Sequence, residues 1–359
     1  VGIIMKEVRI GVIGCGGIAT NTHIPNYLKI PGVKLVAVAD VVEERAKCTA
    51  ERFGAEGWYT DYRKLLDRDD LDGVSIATPP KWHAEIAIYA AKSGRHILCE
   101  KPLAMNVEEA DAMVDAARKV GVKLMTGYQP RFGLECKKVK QIISNGVIGD
   151  PYEITEISGM WHRVGQAWFY QKDIAGGGAG MDHLIYNAHM WQYWLGKINT
   201  VYALIDMHLK ERPIYLGDKT LMTDVTGEDS LAILMRFVNG VVGIIYKSWS
   251  SPTSHGYSEI LGSDGVIVLH GMGMRGLGVY IKKDVPGMMK GWNILEMPQE
   301  DLYFKRIEHF VDCVRNGKEP IITGEDGRDA VEVIQAAYMS AEEGKPIKLP
   351  LPRKQRKEV

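Results

Sequence analysis

The sequence predicts an α/β protein in which a parallel sheet is followed by a mainly antiparallel one. Short apolar runs alternate with helix-like segments through residues 1–127, which is typical of strands joined by crossover helices. A glycine-rich turn at residues 14–19 (GCGGIA) comes directly after the first of these runs. Beyond residue 127 hairpin signals appear. We therefore expect two domains, at residues 1–127 and 128–359.

The strands of the first domain are apolar runs that end in turn residues. The run at residues 8–13 (VRIGVI) precedes the glycine turn, and the run at residues 35–39 ends at Asp40. Further strands are expected at residues 74–77, 96–99 and 122–125.

Helices are expected between these strands. One carries apolar residues at Ala84, Ile88 and Ala91 and ends at Gly94. Asn106 is placed to cap a second helix. The alternation of strand and helix therefore continues to the end of the first domain.

The second domain is expected to be a mainly antiparallel sheet that carries a few helices. The turn Asn239-Gly240 separates apolar runs at residues 230–238 and 241–250, which is a strong hairpin signal. Further expected elements are a linking helix that ends at residues 145–146, a strand at 152–157, a second hairpin at 260–268, and a long helix that starts near Thr323 or Glu325.

Composition sets limits on the function. A length of 359 residues suffices for two cores, and a formal charge of -1 gives no basic patch for nucleic acid or an anionic membrane. Five cysteines without C-x-x-C spacing argue against disulfides and structural zinc. No apolar run approaches the length of a membrane span. We expect a cytoplasmic protein.

The glycine turn has the form of a dinucleotide site. Gly14 would allow the tight turn, and Gly16 would let the backbone approach a pyrophosphate. The helix that follows supplies N–H groups and a positive partial charge for the phosphates, and Gly17 and Ile18 are expected to bind the cofactor too. Such turns also join strands and helices for structural reasons alone, but Asp40 at the end of the next strand favours the dinucleotide.

Asp40 also favours NAD over NADP. Its carboxylate would accept hydrogen bonds from a ribose 2′-OH and would repel a 2′-phosphate. Val41 and Val42 offer that phosphate no cation. The alternative role for Asp40 is a cap on the helix that follows.

The tripeptide Glu100-Lys101-Pro102 follows the strand at residues 96–99. A lysine at a strand end beside a dinucleotide site supplies the cation that hydride chemistry on an alcohol requires, because negative charge develops on the substrate oxygen. Lys101 is therefore the first candidate catalytic residue.

Together these motifs resemble the Gfo/Idh/MocA oxidoreductase family, over essentially the whole chain. The motifs are the glycine turn, residues 37–40 (AVAD), Thr78-Pro79-Pro80 with His83, Glu100-Lys101-Pro102, and the glycines 176–178 followed by Asp182. The resemblance implies an NAD(P)-binding Rossmann domain at 1–127. It also implies an α/β domain at 128–359, whose large open sheet binds substrate and mediates oligomerisation as a homodimer or homotetramer.

Family members mostly oxidise or reduce a carbinol of sugars, inositols or related polyols. In the family, the lysine that matches Lys101 contacts the reacting oxygen. The positions that line the cofactor match Thr78, Pro79, His83, Glu100 and Gln129.

The family also has a D-x-x-x-H pattern on a helix, whose histidine serves as acid/base. Here the pattern begins at Asp182 and places Tyr186 at the histidine position. On an α-helix Asp182, Tyr186 and His189 share one face, whereas His183 points about 100° away from Asp182. We expect Asp182 to orient the reacting groups and Tyr186 to transfer the proton. The alternatives are that Tyr186 is a core residue, or that His189 is the acid/base.

Other candidates are weaker. Trp161 and Trp168 could wall a sugar-sized pocket or pack in the core. His162 and His183 have no metal-binding motif around them, so no metal is expected.

The function predicted from the sequence is hydride transfer between nicotinamide and a secondary carbinol of a sugar, cyclitol or related polyol. Two alternatives stay open. One is NAD-dependent glycoside cleavage through transient oxidation, and the other is a non-catalytic NAD or sugar sensor.

Overall fold

The computed structural model describes residues 6–270 and 276–352, so the outermost ends of both predicted domains lie outside the described residues. The chain divides into two compact units, Val1–Phe132 with Asp301–Arg328, and Gly133–Glu300 with Asp329–Val359. The sequence assigns residues 301–328 to the second domain, yet they group with the first unit. The reason is a helix in this segment whose Arg306 is fully buried and bonds to groups of the first unit.

The first unit contains a six-stranded sheet in the order β3-β2-β1-β4-β5-β6, and every described pair in it is parallel. The strands are β1 (Val8–Ile13), β2 (Val33–Ala39), β3 (Gly57–Tyr59), β4 (Gly73–Ile76), β5 (His96–Cys99) and β6 (Leu124–Thr126). Strand order reverses between β1 and β4, and in such sheets ligands bind outside the carboxyl ends of the strands at this point. The glycine turn and residues 77–83 follow these two strand ends.

Helices flank this sheet and occur where the sequence alternates. They are α1 (Ile24–Leu28), α2 (Glu43–Phe53), α3 (Tyr62–Leu66), α4 (His83–Lys92), α5 (Val107–Val120) and α9 (Leu302–Asn316). The side chain of Asn106 accepts a hydrogen bond from the backbone N–H of Glu109 at 2.8 Å, so the predicted cap is present. A π-helical turn, Ala19–His23, precedes α1.

The second unit contains a nine-stranded sheet in the order β16-β15-β14-β13-β7-β12-β11-β8-β17. The strands of this unit are β7 (Pro151–Trp161), β8 (Ile198–Asp206), β9 (Glu211–Leu216), β10 (Lys219–Asp224), β11 (Ser230–Phe237), β12 (Val242–Ser248), β13 (Ser250–Gly262), β14 (Gly265–His270), β15 (Leu277–Ile281), β16 (Gly291–Leu295) and β17 (Ile347–Lys348). Only β12 and β7 pair in parallel among the described strands of the large sheet. The mainly antiparallel sheet is therefore confirmed.

The hairpin predicted at Asn239-Gly240 is the β11–β12 pair, and Gly240 has the positive φ of +92° that this turn requires. Strands β9 and β10 form a separate two-stranded sheet. The remaining helices are α6 (Leu134–Ser144), α7 (Lys172–Ala175), α8 (Ile185–Leu195) and α10 (Gly324–Glu343). A second π-helical turn, Gly180–Leu184, leads directly into α8.

The two faces of the large sheet differ in burial. On β11, Leu231, Ile233 and Met235 are at most 3% exposed, and they belong to the core. The opposite face carries a cross-strand row in register on five neighbouring strands, which we call the exposed row. Its members are Leu204, Ala232, Tyr246, Ile157 and Tyr257.

Within the described ranges 6–270 and 276–352, no helix is long and apolar enough to cross a membrane.

Candidate active site

The glycine turn joins β1 to the first helix, and its glycines are required by the space around them. Gly14 has φ +91°, and a Cβ there would lie 2.7 Å from the carbonyl oxygen of Ala77. At Gly16 a Cβ would meet no atom within 4 Å, so the backbone here faces open space. In this turn, Gly14 packs against the residue that follows β4, and Gly16 leaves room for a phosphate to approach.

Asp40 supports this turn directly. One carboxylate oxygen accepts a hydrogen bond from the N–H of Cys15 at 2.9 Å, and the other accepts from Val42 at 2.9 Å. Asp40 does not cap α2, because the N-cap residue is Val42 and this helix has no side-chain cap hydrogen bond. The guanidinium of Arg45 lies 3.8 Å from the same carboxylate. Arg45 is a cation beside Asp40 that the prediction of NAD over NADP, based on Val41 and Val42, did not include.

Residues that follow β4 fit a bound cofactor. The hydroxyl of Thr78 is buried and has no hydrogen-bond partner in the part of the chain that the structure describes. A buried hydroxyl without a partner costs free energy, so a ligand group that bonds to it would be favoured. With the open space at Gly16, this hydroxyl indicates that the site can accept a dinucleotide.

His83 contacts the segments that follow β4 and β5. Its ring nitrogens lie 2.8 Å from the carbonyl oxygen of Thr78 and 2.9 Å from that of Pro102. Burial lowers the pKa of His83, although the hydrogen bonds to these two carbonyl oxygens oppose the shift. The imidazole therefore holds the segment that carries Thr78 and Pro79 against the segment that follows Lys101. Contact of His83 with the cofactor stays a prediction.

Glu100 belongs to a buried polar network. One of its oxygens lies 2.8 Å from His23 and 2.8 Å from the guanidinium of Arg306, and both partners are fully buried. The network continues from His23 through the hydroxyls of Ser75 and Tyr27. Burial by itself would raise the pKa of Glu100, but the Arg306 charge and the His23 hydrogen bond outweigh it and hold that pKa well below its usual range.

Lys101 follows this network immediately. Its backbone N–H donates to the second oxygen of Glu100 at 3.2 Å, so the strand end that presents the lysine is fixed from inside the first unit. Gln129 lies in the short helix Gln129–Phe132 and donates to the hydroxyl of Tyr303 at 3.3 Å. Neither His23 nor Arg306 was among the predicted site residues.

In the second unit, a buried carboxylate shapes the glycine segment that precedes Asp182. Glu228 accepts hydrogen bonds from the N–H groups of Gly178 and Gly180, each at 2.8 Å, and from the hydroxyl of Tyr338 at 2.8 Å. A Cβ at Gly177 would overlap the Tyr338 hydroxyl, and one at Gly178 would overlap the Glu228 backbone. Burial raises the pKa of Glu228, although these hydrogen bonds oppose the shift. The glycines are therefore needed for close approach.

Asp182 lies in the π-helical turn Gly180–Leu184 rather than in a regular α-helix. Nε2 of His183 is 3.3 Å from Asp182 Oδ2, and Nε2 of His162 is 3.5 Å from the same oxygen. The expectation that His183 points away from Asp182 is wrong, because the side chains of adjacent residues can turn toward each other whatever the angle between their Cα–Cβ bonds. Both histidines that the sequence argument set aside thus face the predicted orienting carboxylate.

Tyr186 and His189 both lie on α8. Tyr186 is partly buried, whereas His189 is only 3% exposed. His189 is therefore a core residue of the second unit. The role of either residue in proton transfer stays a prediction.

Aromatic rings surround the Asp182 cluster. His162 stacks on Trp249 with ring centroids 4.0 Å apart, and Tyr170 meets both of these rings edge-on. The predicted wall residues have different neighbours. Trp168 stacks on Phe169 at 3.9 Å, and Trp161 lies beneath the guanidinium of Arg212, 5.0 Å from its ring centroid.

Two domains of one known family match most of the sequence. Residues 8–128 match an oxidoreductase family domain described as an NAD-binding Rossmann fold, and residues 140–349 match the C-terminal alpha/beta domain of the same family. The chain belongs to the Gfo/Idh/MocA oxidoreductase family. Its fold class and its NAD-binding domain, both predicted from sequence, are confirmed.

Relatives in this Gfo/Idh/MocA family match over nearly their full length. Myo-inositol 2-dehydrogenase of Thermotoga maritima is 30% identical over 345 residues, which cover 95% of this chain and 98% of the relative. D-glucoside 3-dehydrogenase of Escherichia coli is 28% identical over 351 residues, covering 96% of this chain and 98% of the relative. The solved complex of levoglucosan dehydrogenase with NADH and L-sorbose has a TM-score of 0.85 and 27% identity, covering 96% and 100% of the two chains.

As a member of the Gfo/Idh/MocA family, the protein is an oxidoreductase that uses NAD. The residues described above are those that would hold it: Gly14, Gly16, Gly17, Ile18, Asp40, Thr78, Pro79, His83, Glu100, Lys101 and Gln129. Their individual contacts with NAD stay predictions, as does the weaker binding of NADP.

His162, Asp182 and His183 form a cluster that could hold a metal ion, whereas no metal is predicted from the sequence. Ligand atoms of His162, Asp182 and His183 lie within 4.8 Å of one another, which is close enough for one cation. However, Nδ1 of His183 lies 3.1 Å from the indole nitrogen of Trp249, which donates to it. A neutral histidine that binds a metal through Nε2 carries its proton on Nδ1. The arrangement therefore favours a hydrogen-bonded network over metal binding.

Proposed function

We propose that this protein is an NAD-dependent dehydrogenase that acts on a secondary hydroxyl of a sugar, a cyclitol or a related polyol. The main support is the full-length similarity to dehydrogenases of inositol, glucosides and levoglucosan, combined with a lysine at the position that follows β5. The buried network of Glu100 adds to this support, because it fixes the backbone that carries Lys101.

The proposed chemistry assigns one role to each residue. Bound NAD would supply the hydride acceptor. The ammonium of Lys101 holds the substrate oxygen and stabilises the negative charge that develops on it. Tyr186 takes the hydroxyl proton, and Asp182 orients the reacting groups. These assignments follow the family pattern at Lys101 and Asp182, with tyrosine in place of histidine.

Turnover measurements test the proposed function. We expect NADH formation when the full-length protein is supplied with NAD and a panel of inositols, glucosides and anhydrosugars. Lys101→Met should lower turnover by about a hundredfold or more while NAD affinity stays within a few-fold. A panel without turnover, or a fully active Lys101→Met, would contradict the proposal.

The proton carrier is tested by two substitutions on α8. Tyr186→Phe should remove most turnover with little change in stability or NAD binding, since only the hydroxyl is lost. His189→Gln should act mainly through stability, since His189 is 3% exposed. An active Tyr186→Phe together with a folded but inactive His189→Gln would assign the proton to His189 instead.

We also propose that the protein forms a homodimer or homotetramer through the exposed row of the large sheet. Leu204 is 63% exposed, Ile157 is 45% exposed and Tyr246 is 37% exposed, although all three lie in one cross-strand row, in which Ala232 separates Leu204 from Tyr246. A contiguous apolar row of this kind favours burial against another subunit. A cytoplasmic location is proposed in addition, and the presence of five cysteines without a disulfide among the described residues supports a reducing compartment.

A further inference from the structure

Trp249 connects the large sheet to the Asp182 cluster. It stands between β12 and β13 and is 3% exposed. Its indole nitrogen lies 3.1 Å from Nδ1 of His183. An indole N–H is a donor only, so Nδ1 of His183 is the acceptor in this hydrogen bond.

This hydrogen bond determines where His183 carries its proton. In a neutral imidazole, one nitrogen is the acceptor and the other carries the hydrogen. Since Nδ1 accepts from Trp249, the proton is on Nε2, and Nε2 lies 3.3 Å from Asp182 Oδ2. The opposite tautomer would set two N–H groups against each other and would turn a lone pair toward the carboxylate. The N–H of Trp249 and the carboxylate of Asp182 thus favour the same tautomer.

His162 contacts the same tryptophan, Trp249, through ring stacking. Its ring stacks on the indole with an interplanar angle of 12°, and it meets the ring of His183 edge-on at 5.2 Å. Its Nε2 lies 3.5 Å from Asp182 Oδ2. Trp249 therefore orients both imidazoles that face this oxygen, one by a hydrogen bond and one by stacking.

We propose that Trp249 is a positioning residue that fixes His183 in the Nε2–H tautomer and thereby holds the carboxylate of Asp182 in place for catalysis. The catalytic part rests on the proposed function, whereas the tautomer is a property of the folded chain. One consequence is that the lone pair of a neutral His183 lies on Nδ1, where it accepts the hydrogen bond from Trp249, so Nε2 cannot accept the substrate proton. His183 is then a second positioning residue rather than the base.

Nitrogen NMR on the full-length protein labelled with [15N]histidine tests the tautomer. His183 should show an unprotonated Nδ1 and a protonated Nε2, both with and without NAD, and the signals are assigned by their loss in His183→Gln. Trp249→Phe should shift them toward an average of the two tautomers. A wild-type His183 protonated on Nδ1, or already averaged, would overturn the proposal, whether or not turnover is found.

Kinetics test the positioning role. Trp249→Phe keeps a ring for His162 to stack on but removes the N–H. It should lower kcat by about tenfold or more, because loss of the hydrogen-bond partner that fixes a histidine tautomer lowers activity at least this much in metal sites and catalytic triads. The affinity for NAD should change by less than about twofold. Trp292→Phe, at a 57% exposed tryptophan on β16, is the matched control and should be unaffected. An unchanged kcat in Trp249→Phe would overturn the positioning role.

Metal titration supplies an independent check. Coordination through Nε2 of His183 would require the proton on Nδ1 and would break the bond to Trp249. We expect no saturable binding of Zn²⁺ or Mn²⁺ that depends on His183. Stoichiometric binding that His183→Gln abolishes would overturn the tautomer assignment. If Trp249→Phe does not fold, the wild-type spectrum and this titration still decide the question.

Discussion

Replacing Arg306 by methionine should destabilise the first unit strongly. The guanidinium and the carboxylate of Glu100 are 2.8 Å apart, Arg306 is 0% exposed, and Glu100 is 8% exposed. At an effective dielectric constant of about 20, two unit charges at this separation attract by about 6 kcal/mol. Removal of one partner leaves the other charge buried without compensation, and such substitutions cost about 3–5 kcal/mol after relaxation. We expect a loss in this range for Arg306→Met.

The assay should follow the first unit alone, because the chain has two units and need not unfold in one step. Native-state hydrogen exchange of the β5 amides gives the free energy of opening at the strand that leads to Glu100. Glu100→Gln should cost a similar amount, and the double variant should cost less than the sum of the two single variants. Glu308→Gln on the exposed side of α9 is the control, with an expected change below about 0.5 kcal/mol. A loss below about 1 kcal/mol in both single variants would refute the reasoning.

Three further predictions follow from the same structure. Folding holds the pKa of Glu100 below its usual value. The stabilisation that its charge contributes is therefore complete above about pH 4.3 and is lost as the pH falls further. In acid titrations, the free energy of unfolding should change less with pH for Glu100→Gln than for wild type. Wild type should bind NAD at least about tenfold more tightly than NADP in fluorescence titrations at fixed salt, and Asp40→Ala should reduce this ratio to about threefold or less; an unchanged ratio would contradict the role of Asp40. Tyr246→Glu in the exposed row should convert the oligomer to a 40.0 kDa monomer in light scattering, while Leu221→Glu on the separate β10 should not; a monomeric wild type would contradict the oligomer.

Much of the fold could be predicted from local pattern. The strands at residues 8–13 and 96–99 were predicted with the bounds that the structure shows, because continuous apolar runs bounded by turn residues are strong signals in a parallel sheet. The β11–β12 hairpin was equally accessible through Asn239-Gly240. Helix α9 was not predicted, and its membership of the first unit depends on Arg306. The burial of Arg306 depends on its ion pair with Glu100, which is far away in the sequence, so no local pattern predicts it.

Site residues that belong to short, contiguous family motifs could be predicted from the sequence. Site residues whose contacts lie far away in the sequence could not. Lys101 and Asp182 stand in recognisable motifs, and so does the glycine turn. Trp249 and Glu228 have no local motif, since these two residues beside strands meet the Asp182 segment only in the folded chain. Glu228 accepts hydrogen bonds from the N–H groups of Gly178 and Gly180, where the π-helical turn Gly180–Leu184 begins. Helix periodicity alone could not predict that the His183 ring turns back to Asp182.

The most direct test of the central claim is to follow the hydrogen that is transferred. A polyol substrate deuterated at the carbinol carbon should deliver deuterium to NAD in stoichiometric amount, with one ketone formed for each reduced cofactor. Lys101→Met should lower the rate of this transfer without changing where the label goes. The label would stay in the substrate if the protein is a sensor. Glycoside cleavage without net NADH would identify the transient-oxidation alternative, and either result would contradict the account.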